Sequence, residues 1–294
     1  MQEIPQLGLG TWKISKESTA SVVYSAIKDH NIRHIDCASD YGNEVEVGNG
    51  IKRALDEGIV KREDLWITSK LWNTYHKAEH VEPACRKTLE DLQLEYLDLY
   101  LIHFPIALKF VPFETRYPPE WIFDPSGEAP SVVLEPNAPM HLTWKAMEES
   151  VHAKGLSRNI GVANFNVQLL SDLLSYATVR PYLNQVELHP LLVQQSLVDW
   201  SKAASVRLTA FSPLGSSSYV EMGMDQGLGG GALTSPIVLE IAAAHGKTPA
   251  QVLLRWGIDR GVSVVPKATQ PQHLAENANI FDFKLTEEQV VLCA

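Results

Sequence analysis

Leu65-Trp-Ile-Thr-Ser-Lys70, a following stretch that carries Val81, Cys85, Leu89 and Leu92, and then Leu97-Asp-Leu-Tyr-Leu-Ile-His103 form the segment on which the fold turns. Two short apolar runs flank a stretch whose apolar positions recur every three or four residues. That is the pattern of a strand, a crossover helix and a second, parallel strand. The same rhythm continues in both directions. Strands are expected near 7–10, 33–37, 65–69, 97–102, 158–162, 183–186, 207–211 and 262–265. Helices are expected near 17–30, 44–57, 79–92, 140–154, 167–177, 194–203, 236–245 and 270–278, with an additional one near 249–259. Eight strand–helix units in succession predict an α/β fold, a (β/α)8 TIM barrel occupying residues 1–294 as a single domain.

Composition narrows what such a barrel can do. The chain has 294 residues, of which 45% are hydrophobic and 20% charged, as in an ordinary globular chain with a sizeable core. Its net charge of −10 repels phosphate backbones and argues against nucleic acid or an anionic membrane as partner. No run of about 18 apolar residues occurs, and the first residues do not form a basic region followed by an apolar one. Cys37, Cys85 and Cys293 are far apart and form no Cys-x-x-Cys pair. A reduced, cytoplasmic chain is expected.

Two strand-to-strand connections are longer than one βα unit. The first, 104–139, holds eight of the 17 prolines. The second, 212–235, carries Ser216-Ser-Ser218 and Gly229-Gly-Gly231. Both follow a strand, which in a barrel puts them over the C-terminal face, where active sites lie.

Polar residues gather at the same end of the strands. Asp36, Lys70, His103, Asn164, Gln185 and Lys267 fall at or just after the ends of six different strands. A single Asp or Lys in such a place is more often a cap or a solvated charge; six converging on one barrel mouth favour a site. Tyr41 lies five residues beyond Asp36, either as an aromatic lid on the turn before the helix near Glu44 or as a proton donor. In the second reading, the Lys70 ammonium stabilises the phenolate and lowers the phenol's pKa toward working pH. Asp36 would hold Lys70 charged, and His103 would hydrogen-bond the substrate oxygen. Trp12, Trp72, Phe104 and Trp121, with Tyr41, His103 and Asn164, would form an aromatic pocket with a polar end, suited to aldehydes and open-chain sugars. For Trp121, packing at the rim is an equal reading.

Leu7-Gly-Leu-Gly-Thr-Trp12, His34-Ile-Asp-Cys-Ala-Ser-Asp-Tyr41-Gly-Asn-Glu44, Thr68-Ser-Lys-Leu-Trp72, Asp98-Leu-Tyr-Leu-Ile-His103, Gly161-Val-Ala-Asn164 and Val265-Pro-Lys267 resemble the successive signatures of the aldo-keto reductase superfamily, over nearly the whole chain. The run Ile102 to Pro112, followed by Tyr117-Pro-Pro-Glu-Trp121, is most similar to the fungal-type xylose and aldose reductases. The resemblance implies a catalytic tetrad of Asp36, Tyr41, Lys70 and His103, and NADPH, with NADH also possible, bound without a Rossmann domain. Indeed no G-x-G-x-x-G follows the first strand. By the same resemblance Asn164 and Gln185 hold the nicotinamide carboxamide, and Phe211, where the family usually has Tyr, stacks on the ring. The stretch Ser212 to Gly215, with Leu214 inside it, and the following loop close over the pyrophosphate, while Lys267, Glu276 and Asn277 meet the adenosine phosphate. Thr11, Trp12 and Thr269 complete the cofactor set.

Two departures from the family pattern bear on the cofactor. The residue after the lysine, usually Ser, is Ala268, and the usual Arg that grips the 2′-phosphate is His273. Losing a planar, permanently charged donor weakens phosphate recognition, so NADH should compete better than in a typical member. A further departure is at the ends. The family's N-terminal hairpin and C-terminal tail are expected to be missing between Met1 and Ala294.

The expected reaction is reduction of an aldehyde or open-chain aldose to the alcohol, pentoses first, uronates and small reactive aldehydes next. The expected oligomeric state is a monomer or weak homodimer. A Schiff-base aldolase using Lys70 is a rival, opposed by the neighbouring Asp36. A non-catalytic cofactor-sensing subunit is another, opposed by the filled tetrad. No His-x-His, His-Glu-x-x-His or Gly-x-Ser-x-Gly occurs, so no metal is expected.

Overall fold

A computed structural model describes residues 3–127, 130–215 and 231–293. Eight strands follow in order, β1 Gly8–Gly10, β2 His34–Asp36, β3 Trp66–Leu71, β4 Leu99–Ile102, β5 Ile160–Ala163, β6 Leu183–Glu187, β7 Arg207–Phe211 and β8 Ser263–Val264. Each is parallel to the next, in the spatial order β1 to β8. A parallel bridge from Leu7 to Val264 and the Val264 N–H donating to the Gln6 carbonyl (2.8 Å) close the sheet on itself. The result is the (β/α)8 barrel that the rhythm predicts.

Around it lie α1 Lys16–Lys28, α2 Glu44–Asp56, α3 Ala78–Leu92, α4 Met140–Ala146, α5 Val167–Tyr176, α6 Gln195–Ala203, α7 Pro236–His245, α8 Pro249–Asp259, α9 Pro271–Ala278 and α10 Glu287–Cys293. The first nine match the periodic stretches. The helix expected near 140–154 becomes a π-type turn over Met147–His152, where Glu148 turns away to accept the N–H groups of Thr178 and Val179. α10 has no counterpart in the reading of periodicity, because it is short and buries only Cys293.

Strand alternation sorts the side chains. Trp66, Thr68 and Lys70 face the barrel interior with His34 and Asp36, as the His34–Thr68 (3.1 Å) and Lys70–Asp36 (2.8 Å) bonds require. Ile67, Ser69 and Leu71 face the helices. Trp66, Leu99, Leu101, Ala163 and Leu183 form one small cluster, separate from the large sheet–helix core. Gly10 is dictated by the seam: a Cβ there would stand 2.7 Å from the Val265 carbonyl oxygen.

The first long connection brings Phe104 and Trp121 to the C-terminal mouth, and its two arms pair through Leu108 and Leu134. The second delivers Ser212–Gly215 to the same mouth. Ser216–Ser218 and Gly229–Gly230 lie outside the described residues.

Candidate active site

A cavity of about 240 Å³ opens at the C-terminal ends of the strands. Asp36, the last residue of β2, is 2% exposed and fixed at both oxygens. Its Oδ2 accepts from Lys70 Nζ (2.8 Å) and its Oδ1 from Gln185 Nε2 (2.7 Å). Lys70, on β3, is fully buried, and its ammonium also donates to the Cys37 carbonyl (2.7 Å) and Tyr41 Oη (3.1 Å). The three donors of the ammonium are all spent. Burial would lower the Lys70 pKa, but the Asp36 charge and the hydrogen bonds to Asp36 and Tyr41 outweigh it and raise it, so the amine stays charged.

Tyr41 closes a single 3-10 turn, Ser39–Tyr41, that ends on left-handed Gly42 (φ +69°). Because Lys70 donates to the phenol oxygen, the O–H itself is left to point elsewhere. Sequence reasoning expects a lowered phenol pKa, and here the structure differs. Burial pushes Tyr41 up to about 12, and the lowering effect of Lys70 only partly offsets it. At neutral pH Tyr41 therefore keeps its proton. The charge–charge argument held, but it omitted the desolvation of a phenol packed among Trp12, His103 and Lys70 at the cavity floor.

His103 follows β4. Burial, then the nearby Lys70 and His76, hold its pKa well below 6.5, so the imidazole is neutral. Its carbonyl accepts from Asn164 Nδ2 (2.9 Å), and Asn164 sits in the left-handed region (φ +63°) just after β5. Asp36, Tyr41 and His103 line the cavity, and Lys70 lies directly behind them.

Of the other expected residues, Trp12, Phe104, Trp121, Asn164, Gln185, Phe211, Ser212, Leu214, Gly215 and Lys267 line this cavity. Trp12 and Trp121 remain 39% and 37% exposed, as befits a mouth. Trp72 is fully buried and does not reach the cavity. Its indole N–H donates to the Glu120 carbonyl (3.1 Å), and its ring packs edge-on against Trp121, His103 and Phe104, backing the aromatic wall. Thr11 is likewise buried, with its hydroxyl donating to the Asp36 carbonyl (2.9 Å). Ala268 and Asn277 are buried, Thr269 and Glu276 half-buried and His273 exposed; none of these lines the cavity.

Pro213, inside the expected stretch Ser212–Gly215, lines it too, and Gly10, Lys13, Asp40, Val265 and Pro266 do so unanticipated. Asp40 matters most. Burial, aided by the Glu120 charge, pushes its carboxyl up to about 7. Its place beside Tyr41 was the available signal, but without the 3-10 turn nothing in the sequence aims it at the mouth.

A nicotinamide dinucleotide fits the residues present. Phe211, the Asn164 and Gln185 amides, each fixed by a hydrogen bond, and Lys267 line the same cavity. Among the described residues no group of His, Cys, Asp and Glu is arranged to hold a metal ion, and no helix is long and apolar enough to cross a membrane.

Comparison with known proteins agrees with this geometry. A profile of the Aldo/keto reductase family matches residues 6–294. The chain belongs to the aldo/keto reductase family. It is 47% identical over 289 residues to a probable NAD(P)H-dependent D-xylose reductase of Arthroderma otae, covering 98% of this chain and 86% of that one. It is also 47% identical to the NAD(P)H-dependent D-xylose reductase of Candida tenuis, over 97% of this chain and 87% of the relative. The solved aldose reductase of Schistosoma japonicum superposes with a TM-score of 0.87 at 38% identity, over 99% of this chain and 88% of that one.

Proposed function

We propose that this aldo-keto reductase reduces small aldehydes, open-chain pentoses foremost, with NADPH as the preferred cofactor and NADH as a working alternative. The carrying observation is the Lys70 ammonium shared among Asp36, Cys37 and Tyr41, beneath a cavity walled by Trp12, Phe104 and Trp121. The D-xylose reductases among its relatives support the choice of pentoses.

In this reading a bound reduced nicotinamide supplies the hydride for the carbonyl carbon. Tyr41 gives its proton to the carbonyl oxygen as negative charge grows there, and Lys70 stabilises the tyrosinate that results. Asp36 keeps Lys70 charged and aimed. Neutral His103 offers a hydrogen bond to the same oxygen, and the aromatic wall excludes water. Asn164 and Gln185, with Phe211, orient the nicotinamide; Thr11 and Trp12 shape the same end. Ser212, Leu214 and Gly215 serve the pyrophosphate, and Lys267, Ala268, Thr269, His273, Glu276 and Asn277 the adenosine end. Trp72 serves the pocket from behind.

The Schiff-base alternative is disfavoured because Asp36 holds the Lys70 amine protonated. The reading includes a single barrel domain working as a cytoplasmic monomer or weak homodimer, consistent with three buried, free cysteines. A panel of D-xylose, other aldoses, uronates and small aldehydes, followed by loss of reduced-nicotinamide absorbance with each cofactor, tests it. D-Xylose is expected among the best aldoses; no carbonyl turnover despite cofactor binding would favour a sensing role.

A further inference from the structure

On the side of β3 away from the cavity lies a carboxylate that the proposed chemistry does not use. Glu44 opens α2, three residues after Tyr41, and is only 3% exposed. Its Oε1 accepts from Ser69 Oγ (2.6 Å) and its Oε2 from Thr88 Oγ1 (3.1 Å). Ser69 immediately precedes Lys70 and faces the helices, while Lys70 faces the barrel. The same two stretches of chain are thus tied twice, by Lys70 to Tyr41 in front and by Ser69 to Glu44 behind.

The two ties differ from the others that hold this loop. Upstream of Tyr41, the loop meets β3 through the Cys37 N–H donating to the Thr68 carbonyl (2.8 Å), Lys70 donating to the Cys37 carbonyl, and a longer Ser39–Lys70 contact (3.4 Å). Downstream, Asn43 fixes the loop to Thr11 and Ile14, on the β1 side. Glu44 supplies the downstream tie to β3. Both of its partners are neutral hydroxyls, a costly setting for a buried carboxylate, and burial pushes its pKa up to about 7.

We propose that Glu44 is a positioning residue, pinning the downstream end of the Tyr41 loop to the back of β3 and so holding the phenol oxygen at hydrogen-bonding distance from Lys70. The inference rests on the assignment of Tyr41 and Lys70 above. Its role is one of connection rather than charge. Glutamine can keep both contacts, its oxygen accepting from Ser69 and its N–H donating to Thr88.

The test compares Glu44→Ala, Glu44→Gln, Ser69→Ala, Thr88→Ala and Tyr41→Phe in D-xylose reduction, with NADPH affinity read by fluorescence and unfolding by temperature. A misplacement of about 1 Å can cost about 100-fold, so Glu44→Ala and Ser69→Ala should lose roughly 10- to 100-fold in kcat. Their KM and NADPH Kd should stay within about twofold, because neither substituted residue lines the cavity. Glu44→Gln should hold kcat within about threefold. Thr88→Ala, which frees only the helix side, should do the same even if it unfolds at lower temperature. If Glu44→Ala does not fold, Ser69→Ala and Glu44→Gln carry the test. The proposal is overturned if Glu44→Ala and Ser69→Ala keep kcat, if Thr88→Ala loses as much as Ser69→Ala, or if Glu44→Gln loses as much as Glu44→Ala. Full turnover by Tyr41→Phe would instead remove the catalytic assignment beneath it.

Discussion

Asp40 shows how one side chain sets a pH dependence. With its carboxyl pushed up to about 7 by burial and the Glu120 charge, it is neutral below that pH and anionic above it. Because it lines the cavity, an anionic aldehyde such as a uronate meets growing repulsion as pH rises. The kcat/KM ratio of D-glucuronate to D-xylose should therefore fall between about pH 6 and pH 8, and Asp40→Asn should flatten it. A ratio that rises or stays constant in the wild type would show that Asp40 does not titrate there. At the proposed adenosine end of the cofactor site, His273 is exposed and occupies the position where the family resemblance implies the usual arginine. Restoring a bidentate, permanently charged donor by His273→Arg should raise the NADPH-over-NADH ratio of kcat/KM by about 10-fold. That Asp36, Tyr41, Lys70 and His103 meet at one place was legible because they lie at or beyond the ends of three strands, Asp36 and Tyr41 in one motif and Lys70 and His103 each in another. Tyr41's acidity was not, since it depends on burial that no spacing records.

At the scale of elements, α2 carries a buried titrating group and β1 a seam. Glu44 has its pKa raised from 4.5 to about 7 on folding, so the native state binds the proton more tightly than the unfolded chain. The stability this contributes is complete below pH 4.5 and is lost as pH rises through about 7. Relative to the wild type, Glu44→Gln should therefore gain in melting temperature as pH is raised across that window; a constant difference would argue against the shift. At the seam, Gly10→Ala places a methyl 2.7 Å from the Val265 carbonyl oxygen, which belongs to backbone and cannot swing away. A loss of about 1–3 kcal/mol is expected in denaturant unfolding. Strands and long helices were readable because burial on one or both faces imposes a period. The 104–139 connection was readable as a loop over the C-terminal face, but not in its internal path. Trp121 reaches the mouth there on a path turned by Glu120 at φ +58°, and Trp72 takes the rear of the wall instead. Sequence reasoning put both tryptophans in the pocket, with rim packing an equal reading for Trp121 alone, because which face an aromatic presents is decided by packing across the chain.

At the scale of the whole molecule, eight short parallel strands bring Asp36, Lys70 and Gln185, far apart in sequence, into one hydrogen-bonded group. The barrel was legible from its repeat, and the family from motifs set along that repeat. What closure added was mutual distance, hence the sharing of one ammonium by three acceptors. The claim that this group drives carbonyl reduction is tested most directly by D-xylose turnover in Tyr41→Phe, with NADPH affinity measured on the same preparation. Removing the general acid should lower kcat by about 10³-fold while leaving the cofactor Kd within about twofold. A kcat within tenfold of the wild type would contradict Tyr41 as the proton donor.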